Sequence, residues 1–168
     1  METNCLFSLN NKIAIVTGGA GHLGCSVSEV LAEYGCIVFM VSRHISEDNT
    51  KVVLLRQRFK EQIQTARMDI RSTESIRKMY EKILTEYGKI DILVNNAYFG
   101  VPGSLEEMTE ENWNKGIEGS INSVFRCTKE IVPTMKKLLS GSIINMASMY
   151  GMVSPDPRVY ASPEAANP

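Results

Sequence analysis

The chain has no run of about 18 consecutive apolar residues, the length that crosses a bilayer as a helix. Its opening segment, Met1 to Asn11, lacks a basic stretch followed by a long apolar one. A cytoplasmic location without membrane contact is the expectation. Charge of one sign is missing too: 18 Lys and Arg stand against 19 Asp and Glu, a formal net charge of −1, and no basic cluster is available to neutralise a phosphate backbone. Nucleic acid is not expected as a partner. The four cysteines, Cys5, Cys25, Cys36 and Cys127, make no CxxC pair and have no histidine at metal-ligand spacing. They read as buried free thiols, and no metal site is expected. What is present is an ordinary globular composition, 43% hydrophobic over 168 residues, enough for one domain with its own core.

Hydrophobic periodicity divides the chain into alternating short strands and helices. Lys12 to Thr17 (KIAIVT) is a β-branched apolar run of the kind buried on both faces of a parallel sheet, and it ends at glycines. From Leu23 to Tyr34 the apolar residues Leu23, Val27, Val30 and Leu31 recur at helical spacing, with Gly35 placed to end the helix. Cys36 to Val41 predicts a second strand. Residues 47 to 66 predict a helix, with Val53, Leu54, Phe59 and Ile63 on one face. Residues 67 to 70 (RMDI) predict a third strand, followed by a helix capped at Ser72 or Thr73, closed by Gly88, and burying Ile76, Met79, Tyr80 and Ile83. A fourth strand is predicted over 90 to 97. Beyond it, a helix capped by Thr109 turns Trp113, Ile117, Ile121, Phe125 and Ile131 inward, with Pro133 kinking it or opening its last turn. Residues 142 to 146 predict a fifth strand. Such alternation requires right-handed crossovers and an α/β, Rossmann-type doubly wound parallel sheet, a single domain over 1–168 in which 151–168 form an irregular proline-rich tail.

Between the first strand and its helix, Thr17 to Gly24 reads TGGAGHLG, in which Gly19, Gly21 and Gly24 satisfy GxGxxG. Glycines there allow a tight turn and close backbone approach to a pyrophosphate, whose charge meets the free N–H groups and positive dipole end of the helix. At the end of the second strand, where a carboxylate would hold the ribose diol of NAD, the chain has Ser42 and Arg43, and the first carboxylates are Glu47 and Asp48. An arginine at that place accommodates the 2′-phosphate, so NADP(H) is favoured over NAD(H).

These residues resemble the short-chain dehydrogenase/reductase family. Its usual TGxxxGxG has a glycine where this chain has His22; TGGAGHLG fits TGxxGxxG, the variant of extended relatives that act on nucleotide sugars, with Gly18, Gly21 and Gly24 forming the turn. The resemblance implies cofactor contacts from His22 and Leu23 within that turn, from Asp69 and Ile70 at the adenine, and from Asn96 and Ala97 in Asn95-Asn96-Ala97, which matches the family's NNAG with Tyr98 in place of its glycine. It also implies hydride transfer between a nicotinamide and a small-molecule carbonyl or alcohol, with Tyr as general acid/base, Lys lowering its pKa, Ser holding the substrate oxygen and Asn supporting a proton relay. Ser148 in NMAS matches the catalytic serine, and Ser120 aligns with the relay asparagine. Tyr160 in YASPEA imitates YxASK, but Glu164 stands at the lysine position, Pro163 breaks the helix that should carry both, and no Lys follows Lys137. The expectation is that 154–168 is an insertion ahead of the true YxxxK, absent from this chain together with the last strands and the main helix of the family's homo-oligomer. That would leave an incomplete sheet with an open edge. Two other readings share the glycine turn: a catalytically silent nucleotide-binding or regulatory protein, and a nucleotide-sugar epimerase or dehydratase.

Overall fold

The computed structural model describes residues 7–45, 49–153, 156 and 158. The expectations placed on Cys5, Glu47, Asp48 and Tyr160 lie outside the described residues. The chain runs β1 (Ile13–Thr17), α1 (His22–Glu33), β2 (Ile37–Ser42), α2 (Thr50–Phe59), β3 (Ile63–Arg67), α3 (Thr73–Tyr87), β4 (Ile92–Asn95), α4 (Glu110–Ile117), a π-helical turn (Glu118–Asn122), α5 (Ser123–Lys137) and β5 (Ser142–Asn145). All strand pairings are parallel and the order is β3-β2-β1-β4-β5. The sheet therefore reverses direction of growth at β1, and a crevice opens between the carboxyl ends of β1 and β4, where doubly wound sheets bind ligands.

Strand β1 is buried on both faces, which its uninterrupted IAIVT demands. Ile13 and Ile15 join Phe39, Leu93 and the inner faces of α3 and α5. Ala14 and Val16 join Val38, Met40, Val94, α1 and α2 on the other side. Helix α3 follows its sequence closely: Ser72 caps it through the Ser75 N–H at 3.2 Å, Gly88 closes it in the left-handed conformation at φ 74°, and Ile76, Met79, Tyr80 and Ile83 are buried. Cys25, Cys36 and Cys127 are free and buried.

Three expectations are corrected. The third strand is Ile63–Arg67 rather than 67–70, because helix α2 ends at Phe59 and Lys60 turns the chain with a positive φ of 49°. Met68 and Ile70 are buried as the loop leaving the strand. Helix α1 presents Gly24, Cys25, Ser28 and Ala32 to the sheet, while Leu23 and Val30 are exposed. The single helix expected after Thr109 is three elements, in which Trp113 of α4, Ile121 of the π-helical turn and Phe125 of α5 face outward; α5 buries Ser123, Cys127 and Met135 together with Ile131, the last as expected. Pro133 lies inside α5 without ending it. Among the described residues β5 pairs only with β4, and its residues are largely exposed. No helix among the described residues is long and apolar enough to cross a membrane.

The start of β1 is tied to the start of β4 by Asp91, 7% exposed, which accepts hydrogen bonds from Lys12 Nζ at 2.8 Å and Ile13 N at 2.9 Å and pairs with Lys89 at 3.2 Å. Burial opposes its ionisation, but the two ammonium groups and the N–H outweigh burial and hold the carboxyl below the usual carboxylate range. Its contribution to stability is thus present above about pH 4 and is lost as pH falls through the lowered pKa. Asp91→Asn is expected to cost about 1–3 kcal/mol at neutral pH. In urea unfolding it should lose less further stability than the wild type on going to acid; an identical acid limb in both proteins would refute this role.

Candidate functional site: a glycine-floored cleft at the end of β1 and β4

The crevice is an open cleft of about 460 Å³. Its floor is the glycine turn: Gly18, Gly21, His22, Leu23 and Gly24 line it. Gly18 has a positive φ of 63°, which a side chain would strain, and a Cβ on Gly24 would overlap the Gly18 carbonyl oxygen, so the turn closes only with glycine at both places. Helix α1 begins here without a side-chain cap and without an acidic residue in its first turn. Its first N–H groups are left for an external acceptor.

Two other strand ends complete the walls. From β2 come Ser42 and Arg43, and from β4 Asn96, Ala97 and Tyr98, with Ile70 and Met68 closing one side. Arg43 is half-buried, its guanidinium lying 5.7 Å from the centre of the Phe99 ring, which receives Arg71 at 5.8 Å as well. Val41, Met68 and Phe99 line the cleft and were missing from the sequence reading; Phe99 adjoins the NNA segment, which is the only signal that points to it.

The cleft is held open by one buried hydroxyl. Thr17 Oγ1 donates to Val94 O at 3.2 Å and accepts from Asn96 N at 2.9 Å and Ala97 N at 3.0 Å, so its single donor and both lone pairs are used. Asn96 Nδ2 returns the contact, donating to Thr17 O at 2.9 Å and Gly18 O at 3.3 Å. Asn95 faces the other way, donating to Asn145 Oδ1 on β5 at 2.8 Å.

Three predicted residues sit apart from this group. Asp69 does not line the cleft: Arg71 Nη2 at 2.7 Å and Nε at 3.0 Å hold its carboxylate and keep its pKa low. Ser148 is exposed and caps a 3-10 turn, its Oγ accepting from Tyr150 N at 3.2 Å. Ser120 lies in the π-helical turn, donates to Gly116 O at 2.7 Å, and lines a separate apolar groove with Ile121, Phe125 and Asn145. Tyr160 is outside the described residues. Among the described residues no group of three or more His, Cys, Asp or Glu is placed to hold a metal ion.

A parallel sheet of this order, with a glycine turn at its switch point and a cleft between two strand ends, defines the dinucleotide-binding class of α/β folds. Residues 12–166 match the short chain dehydrogenase family, and the chain belongs to it. Its sequence is 30% identical over 158 residues to a 3-oxoacyl-(acyl-carrier-protein) reductase of Chlamydia muridarum, covering 94% of this chain and 64% of that protein. It is 32% identical over 142 residues to a 3-ketodihydrosphingosine reductase of Bacteroides thetaiotaomicron, covering 84% and 49%. The fold superposes on an NADPH-dependent 3-quinuclidinone reductase from Rhodotorula rubra with a TM-score of 0.82 at 27% identity, covering 96% of this chain and 60% of that one. The chain thus spans less than two thirds of the length of each.

The Thr17 hydroxyl gives the site its first test. Thr17→Val keeps the shape but leaves the Asn96 and Ala97 N–H groups without their acceptor in a buried place. It should cost at least about 2 kcal/mol, while Thr17→Ser retains most of the stability. Chemical denaturation of the three proteins measures this, and equal midpoints for wild type and Thr17→Val would show that the hydroxyl is dispensable.

Proposed function

We propose that the chain is the dinucleotide-binding part of an oxidoreductase that moves hydride between NADP(H) and a small carbonyl or alcohol substrate. The observation that carries this reading is the glycine-floored cleft itself: a turn that closes only with glycine at positions 18 and 24, facing a half-buried arginine at the end of β2. Its residues fit such a group. The N–H groups opening α1 and the glycine turn would receive the pyrophosphate, and Asn96, Ala97 and Tyr98 would border the path toward the nicotinamide. Arg43, with Ser42 beside it and no carboxylate at that strand end, would take the 2′-phosphate. When bound, the nicotinamide supplies or accepts the hydride.

The chain's own part in the chemistry is to bind, orient and donate. Ser148 follows β5 at a strand's carboxyl end, and its Oγ spends an acceptor lone pair on Tyr150 N, so its O–H is left to hold a substrate oxygen. Ser120, where the family has an asparagine, bonds back to its own helix and carries no relay in this arrangement. Asp69, engaged by Arg71, would reach an adenine amino group only by sharing its carboxylate. The similarity to reductases, one of them named as NADPH-dependent, supports the reaction class.

Fluorescence titration with NADPH and NADH tests the assignment. NADPH should bind more tightly, Arg43→Ala should abolish the preference, and Ser42→Asp should turn it toward NADH by offering the ribose diol an acceptor and repelling the phosphate. Equal or better binding of NADH by the wild type, or an unchanged preference in Arg43→Ala, overturns the role of Arg43. Failure of both nucleotides to bind overturns the cofactor reading.

A further inference from the structure

His22 occupies the position at which the related motif carries glycine, and it lines the cleft as the first residue of α1. Its ring meets a lysine: Lys51 Nζ stands 2.8 Å from His22 Nδ1. A lysine ammonium has three donors and no acceptor, so Nδ1 must be the acceptor, and the proton of the neutral imidazole then belongs to Nε2.

Lys51 is held at this place by two ties. Asn49 caps α2, its Oδ1 accepting from Lys51 N at 3.1 Å and Val52 N at 3.4 Å, while its Nδ2 donates to Ala20 O in the glycine turn at 3.1 Å. Farther along the same helix Arg58 pairs with Glu29 at 2.5 Å and Glu33 at 2.6 Å, both on α1. Helix α2 is therefore strapped to the glycine turn near its start and to α1 near its end, and the first strap delivers the Lys51 ammonium to the imidazole.

We propose that Lys51 is a positioning residue that fixes His22 as the Nε2–H tautomer, so that His22 donates a hydrogen bond to the pyrophosphate of the dinucleotide in the cleft. The proposal rests on the cofactor reading above and adds to it a side-chain donor for a group that the glycine turn otherwise meets with backbone alone. It assigns to His22 a role that a glycine at the same position has no atoms to perform. The role of Lys51 is exerted through His22, so its effect on binding vanishes when the imidazole is gone.

The test uses the 168-residue chain, labelled with ¹⁵N, at about pH 8, where an ordinary histidine is neutral. ADP-ribose is the probe, because it carries the pyrophosphate without the 2′-phosphate that Arg43 would read. The His22 ring nitrogens should report a single Nε2–H tautomer in the wild type and in Lys51→Arg, and a mixture in Lys51→Met. ADP-ribose should bind about tenfold more weakly to Lys51→Met and to His22→Phe, with Lys51→Arg close to wild type and circular dichroism unchanged throughout. In the double variant, loss of Lys51 should add little to loss of His22. A tautomer unchanged in Lys51→Met overturns the proposal, as does a Lys51→Met loss of the same size with and without His22, which would make the lysine a plain surface charge. A wild type that holds the tautomer yet binds neither ADP-ribose nor NADPH overturns the cofactor reading and removes the ligand; one that binds both while the variants bind equally well overturns the positioning role alone.

Discussion

The cleft exists because the carboxyl ends of β1 and β4 are kept in register by the Thr17 side chain. Strand pairing alone would align the two backbones, but it leaves the peptide groups just past β4 without partners. The threonine hydroxyl satisfies Asn96 and Ala97 together, and the Asn96 amide reciprocates on the Thr17 and Gly18 carbonyls. A closed network of this kind, 2% exposed at its centre, is expensive to leave half-made, so each member locks the others. The glycine turn on one side and the Tyr98 wall on the other inherit their separation from it. In this sense the polar centre of the sheet, rather than its apolar layers, sets the shape that a ligand would meet.

The alternation of strands and helices was legible from hydrophobic period and caps, and α3 shows why: one apolar face, one polar face, a serine at the start and a glycine at the end. Helix α1 and the start of α5 depart from expectation in the same way, while Ile131 farther along α5 is buried as expected. Small residues are buried in both places, Gly24, Cys25, Ser28 and Ala32 in α1, Gly119 in the π-helical turn and Ser123 and Cys127 in the first turns of α5, because these segments approach their neighbours closely; a Cβ on Gly119 would run into the Phe99 backbone. A search for bulky apolar stripes selects the opposite face. The π-helical turn adds to the error, since its i→i+5 bonding puts more residues into one turn and shifts the phase of α5 against α4. The edge strand β3 escaped for another reason: among the described residues it pairs on one side only, and IQTAR carries polar residues that the half-exposed position tolerates.

Within the cleft, residues adjoining a glycine or a strand end could be placed from sequence because chain geometry forces them there. Gly18, Gly21, Gly24, Arg43, Asn96 and Ala97 are of this type. What could not be read were pairings made across turns: Arg71 with Asp69, Arg43 with Phe99, Lys51 with His22. Each depends on how two segments dozens of residues apart, or two residues of one tight loop, aim their side chains, and no local pattern encodes that.

The three buried cysteines fall on opposite sides of the sheet, Cys127 in the layer under α3 and α5, Cys25 and Cys36 in the layer under α1 and α2. Burial pushes all three thiols up, Cys127 to about 11 and Cys36 to about 12, so at neutral pH they are almost wholly protonated and poor nucleophiles while the fold is closed. The molecule thereby carries a chemical clock in each half. A thiol reagent added to the native protein would consume each cysteine only as fast as its own layer opens, and mass spectrometry of the modified peptides would time the breathing of the two halves separately.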